Sequence, residues 1–167
     1  MRHFSAFALA AVALVSLTAC QVDSERVATE AYLQNAEPIA QSLVETGGKF
    51  ETLINANPDP LEWSADAKAE MQNILAAMTS LSADAKALTP PEFLATAHPL
   101  LVEAIAEMQA GMTVIADAAA NPSAVTEASI AKADSHAEEA SVLGERYVSQ
   151  METAINAKYP DLLEDQQ

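Results

Sequence analysis

The residues able to do chemistry in this chain are few: three histidines, three tyrosines, one cysteine and six methionines. His98 is the most promising, because folding back the helices described below puts it in company. The turn near Thr89 places His98 opposite Leu81, and the turn near Asn121 places it level with Gly144. The turn at Asn57–Pro60 brings Leu81 near Pro38 and Ile39. One layer then holds His98, Pro38, Pro99 and Gly144, with Tyr147 a turn away. Two roles fit. His98 is a buried neutral imidazole that donates to a carbonyl freed by Pro99, with Gly144 making room for the ring. Alternatively, His98, Tyr147 and Gly144 form a small polar pocket in which the histidine and the phenol orient a ligand.

His136 lies in "ADSHAEEA", beside Asp134, Glu138 and Glu139. A histidine among carboxylates can bind a divalent cation weakly. Here, however, there is no i,i+4 histidine pair and no HExxH motif, so a solvated helix face is expected rather than a metal site. Met71, Met78, Met108, Met112 and Met151 all fall on apolar seams and read as core filler. The sequence has no Gly-x-Ser-x-Gly elbow and no phosphate-binding glycine loop. No catalytic set, no metal and no cofactor is expected, and the chain is read as a non-enzyme.

Four helical segments must position these residues. Glycine is scarce, at four residues, and period-two β-branched runs are absent. The first segment runs over 24–56 with Tyr32, Ala36, Ile39, Leu43, Phe50 and Ile54 on one side. Pro38 and Gly47-Gly48 predict a kink or break in it. The second runs over 64–88, capped by Ser64, with Met71, Ile74, Met78, Leu81, Ala85 and Leu88 as its seam. Thr89, Pro90 and Glu92 resemble a capping box that opens the third, whose seam is Leu94, His98, Leu101, Ile105, Met108, Met112, Ile115 and Ala119. Asn121 and Pro122 open the fourth, to Lys158, with Ile130, Ala133, Ala137, Ala140, Gly144, Tyr147, Met151 and Ala154 inward. Trp63 is expected to cover one end of the core. Four amphipathic helices joined by short turns predict an all-α, up-down-up-down four-helix bundle over 24–160, followed by an acidic tail, 161–167. The Pro90-Pro91 pair followed by His98 resembles a pattern in uncharacterised secreted helical-bundle domains, which implies no chemistry.

The lone cysteine has a different setting. The chain starts MRHFSAFALAAVALVSLTAC: a positive residue, an apolar run from Phe4 to Leu17 too short to span a bilayer, then small residues. Leu17-Thr18-Ala19-Cys20 resembles the lipobox of bacterial lipoproteins. That resemblance implies a signal peptide over 1–19 cleaved before Cys20, lipidation of the Cys20 sulfur, acylation of its new amino group, and a short tether over 20–23. Multiple acyl chains hold a protein durably where one does not. No second run of spanning length is read from the sequence. Gln21 stands where such lipoproteins carry aspartate for inner-membrane retention. The resemblance therefore implies the periplasmic face of an outer membrane, with the inner membrane and the cell surface as alternatives.

The 24 acidic and 8 basic residues give a net charge of −16, one more negative once Arg2 leaves with the leader. Such a surface repels nucleic acid and anionic headgroups. The expected function is a lipid-anchored envelope protein, bound to the membrane through Cys20, that interacts with or supports an envelope partner. The alternative is a sensor of a small ligand or metal, using the His98 layer or the acidic surface.

Overall fold

The computed structural model describes residues 23–164; the leader, Cys20 and residues 165–167 lie outside them. Among the described residues every element of secondary structure is a helix. Four long helices, α1 (Ser24–Ala56), α2 (Ala65–Ala87), α3 (His98–Ala120) and α4 (Glu127–Lys158), are followed by a short α5 (Asp161–Glu164). Single 3-10 turns at Pro60–Glu62, Glu92–Leu94 and Pro122–Ala124 occupy the connections.

Helix α1 starts where Asp23 accepts hydrogen bonds from the amides of Glu25 and Arg26. It then runs through Pro38 and Gly47-Gly48 as one helix, without the break that these residues predict. Both Pro38 and Gln34, whose carbonyl the proline ring displaces, are exposed, so water can satisfy that carbonyl. Neither glycine takes a positive φ; both are plain helical residues. Helix α2 starts as expected, with Ser64 Oγ accepting from the Ala67 amide at 3.1 Å. Trp63, just before it, is buried, and its indole N–H donates to the Asn57 carbonyl at 2.9 Å.

The two later starts differ from expectation. Residues 89–92 do not open α3; Glu92–Leu94 make a 3-10 turn without a side-chain cap, and the α-helix begins at His98. The reason is Pro99. In a helix begun at Pro90 it would be an interior residue, clashing with the Ala95 carbonyl, whereas from His98 it falls in the first turn, where a missing N–H costs little. In the same way, Pro122 starts a 3-10 turn, and α4 begins at Glu127 behind a reciprocal box between Thr126 and Ser129. That late start leaves Ile130 in the first turn and 58 % exposed, off the seam expected of it.

The seams otherwise become the core. Met78, Ile105 and Ile155 are completely buried, and all five methionines of the seams are inside. Burying each such side chain contributes about 1.5–3 kcal/mol. Helices α3 and α4 approach each other most closely, at Gly111: a Cβ there would lie 3.2 Å from His136 Cβ and 3.3 Å from the Ala133 carbonyl oxygen. Helix α1 packs beside α2 and reaches α3 and α4 through long side chains. Helix α3 is 23 residues long and contains an 18-residue stretch of mean hydropathy 1.3, long and apolar enough by length and composition alone to cross a membrane, although no second run of that kind is expected from the sequence. Its apolar face, including Leu101, Ile105 and Met112, is spent on the core.

Candidate functional site

Three side chains from three helices meet inside the bundle. Tyr32 comes from α1, His98 from the first turn of α3 and Tyr147 from α4. Tyr32 Oη lies 3.1 Å from His98 Nδ1 and 3.3 Å from Tyr147 Oη. The Tyr32 and His98 rings meet edge to face, with centroids 5.8 Å apart. Tyr32 and Tyr147 are 3 % and 1 % exposed, while His98 is half-buried. Burial pushes both phenols above their ordinary value, Tyr32 well above it, and in Tyr32 the neighbouring Tyr147 hydroxyl adds to the shift. Burial also pushes the His98 imidazole below its ordinary value. All three groups are therefore neutral near pH 7.

His98 and Tyr147 thus join one network, through a residue the sequence reading placed on the seam of α1 but not in the site. The proline layer does not form around them. Pro38 is exposed on α1 and Pro99 is exposed at the start of α3, so Pro99 frees no interior carbonyl for His98. The imidazole's partner is a hydroxyl instead. Gly144 is buried on α4, one turn before Tyr147. A tyrosine on an apolar seam signals its polar end only weakly. The usable clue was that a buried tyrosine hydroxyl needs a partner, and the inward His98 and Tyr147 were the available ones.

His136 is likewise not on a solvated face. It is half-buried, and its Nδ1 lies 2.6 Å from Glu107 Oε2 on α3, whereas Asp134, Glu138 and Glu139 on its own helix are exposed. The contact rests on Gly111, against which the His136 Cβ packs. Among the described residues no group of three histidine, cysteine or acidic side chains could hold a metal ion.

A second cluster ties down the start of α1. Tyr159 Oη donates to Asp23 Oδ2 at 2.9 Å. Arg26 bridges Glu30 at 3.1 Å and Asp161 at 2.6 Å, and its guanidinium stands over the Tyr159 ring. Lys158 pairs with Glu25 and lies 5.0 Å from the centroid of Phe93. The Tyr159 hydrogen bond, followed by the Arg26 amide, holds the Asp23 carboxyl below the usual range; Arg26 does the same for Asp161. Tyr159 is pushed up to about 12, first by burial and then by Asp23. Residues 161–164 are accordingly a short helix folded back on the bundle, with Leu162 and Leu163 against the core, rather than the start of a plain tail.

Between α1 and α2 runs an open groove of about 700 Å³. Tyr32, Ile39 and Leu81 give it apolar walls, and Asn35, Asp84 and Thr89 its polar groups. Comparison of the chain with family models, with curated proteins and with solved structures finds no match.

Proposed function

We propose that this chain is a bacterial cell-envelope lipoprotein, cut before Cys20, lipidated there, and held at the periplasmic face of the outer membrane. Its helical part is an up-down-up-down four-helix bundle that works by binding or supporting an envelope protein, not by catalysis. The observation that carries the reading is Leu17-Thr18-Ala19-Cys20 behind a short apolar run. The bundle order is supported by contacts at one end, where the start of α1 meets the end of α4 and α5 through Asp23–Tyr159 and Arg26–Asp161. Tyr32 and His98 bring the starts of α1 and α3 together, which supports the same order. With only Gln21 and Val22 between Cys20 and that cluster, the anchored bundle would stand close to the lipid surface.

Membrane fractionation tests the reading. Wild type is expected in the membrane fraction, and Cys20→Ser is expected to lose cleavage and lipid. In-cell crosslinking from the bundle surface is expected to capture one envelope protein reproducibly. Equal partitioning of wild type and Cys20→Ser would count against the anchor. No crosslinked partner would count against the binding role.

A second reading, a small-ligand sensor, is favoured by the groove beside Tyr32 and by the half-buried His98. It requires saturable thermal stabilisation by a small molecule or cation beyond the effect of salt.

A further inference from the structure

The hydrogen bonds between His98, Tyr32 and Tyr147 can run in only one direction without stranding a proton. Tyr147 is buried, and among the described residues its hydroxyl has Tyr32 alone as a partner. An unplaced O–H proton in a core costs more than an unused lone pair, so Tyr147 donates to Tyr32. Tyr32 then has its own proton for His98 Nδ1, which must accept it. His98 is fixed as the neutral tautomer with its proton on Nε2.

Adding a proton to Nδ1 reverses every bond. His98 becomes a donor, and Tyr32 must accept from it and turn its proton toward Tyr147. The Tyr147 proton is then left in the core without an acceptor. We propose that this triad is an acid-sensitive latch: protonation of His98 strands the Tyr147 hydroxyl proton in the core and so loosens α1 from α3 and α4.

The arrangement of the helices says which part moves. Helices α3 and α4 are locked by close backbone approach at Gly111, whereas α1 reaches them through side chains such as Tyr32. Tyr32 also walls the groove between α1 and α2, so release opens the apolar seam of α1 toward that groove. The ionisable groups that face the imidazole are Tyr32 of α1 and, one bond further, Tyr147 of α4. Among the described residues, α2 and α3 bring no other ionisable group into hydrogen-bonding or ion-pair contact with it. The positive end of α3, where His98 sits, opposes a cation there too. The latch stands on this geometry and does not depend on the envelope reading.

The test uses the full chain with labelled histidine, read by NMR, together with amide exchange corrected for intrinsic rates. His98 is expected as the Nε2–H tautomer at pH 7.5, titrating below about 6.5. Between pH 7 and pH 5, above the carboxylate range, protection in the first half of α1 is expected to fall about tenfold, the order of change that one stranded buried hydroxyl makes to an opening equilibrium. The α3 and α4 core should hold. Tyr32→Phe is expected to abolish the pH response of α1, while His136→Gln keeps it. Where Tyr32→Phe fails to fold, His98→Gln gives the same reading, since it cannot take the proton. An Nδ1–H tautomer, titration at or above about 6.5, or an α1 response that survives in the Tyr32 or His98 variant overturns the proposal.

Discussion

His98 and Tyr147 stand on different helices and are joined through one hydroxyl, that of Tyr32, 3.1 Å from the imidazole and 3.3 Å from the second phenol. This fixes an order of mutational effects. Tyr147→Phe keeps the ring and removes one donor, leaving Tyr32 still bonded to His98; it should cost about 1 kcal/mol. Tyr32→Phe strands the buried Tyr147 hydroxyl and leaves His98 Nδ1 unbonded; it should cost more, about 1–3 kcal/mol. Tyr32→Ala adds a core cavity and should cost about 3–5 kcal/mol. Denaturant titration of the three variants checks the ranking.

The glycines should respond in opposite directions. A Cβ at Gly111 meets backbone on α4 at 3.3 Å, so the helices must part to admit it. Gly111→Ala is expected to destabilise by about 1–3 kcal/mol and to weaken the His136–Glu107 contact. A Cβ at Gly47 or Gly48 meets nothing within 4 Å, and neither has a positive φ. Alanine at either position should stabilise α1 by about 0.5–1 kcal/mol. Thermal melts of the three single variants distinguish the cases.

Acid should loosen the start of α1 in a second way. Asp23 and Asp161 have folded-state carboxyls held below their ordinary value, by Tyr159 and by Arg26 respectively. Their contribution is fully present above about pH 4 and is lost as pH falls through the lower folded values. Amide exchange at residues 24–30 should therefore rise below pH 4, and Asp23→Ala should bring that opening to neutral pH. Tyr159→Phe should reproduce part of the effect.

The apolar spacing made most of the core legible. The 3-4 rhythm from Met71 to Ala85 is buried throughout, because a helix face of that period has only one way to leave water. Helix starts were harder to read. Thr89, Pro90 and Glu92 carry the pattern of a cap, but the pattern ignores Pro99 seven residues beyond Glu92, whose ring sets the start at His98. The same kind of shift at α4 put Ile130 outside the core.

In the candidate site, rise and turn counting puts His98 level with Gly144, a turn from Tyr147, but pairs it with Pro38 rather than Tyr32. That is a slip of six residues, or about 9 Å along α1. The 3-10 turn at Glu92–Leu94 uses up chain that counting assigned to the third helix. Local pattern could not reveal the Glu107–His136 contact, since it depends on two helices meeting at Gly111.

The claim on which place and role depend is the anchor, and mass spectrometry of the N-terminal peptide from the membrane fraction tests it most directly. The account predicts a mature chain whose first residue is Cys20, heavier than its sequence by the mass of attached fatty chains. A chain that still begins at Met1, or one with an unmodified Cys20 thiol, would contradict it.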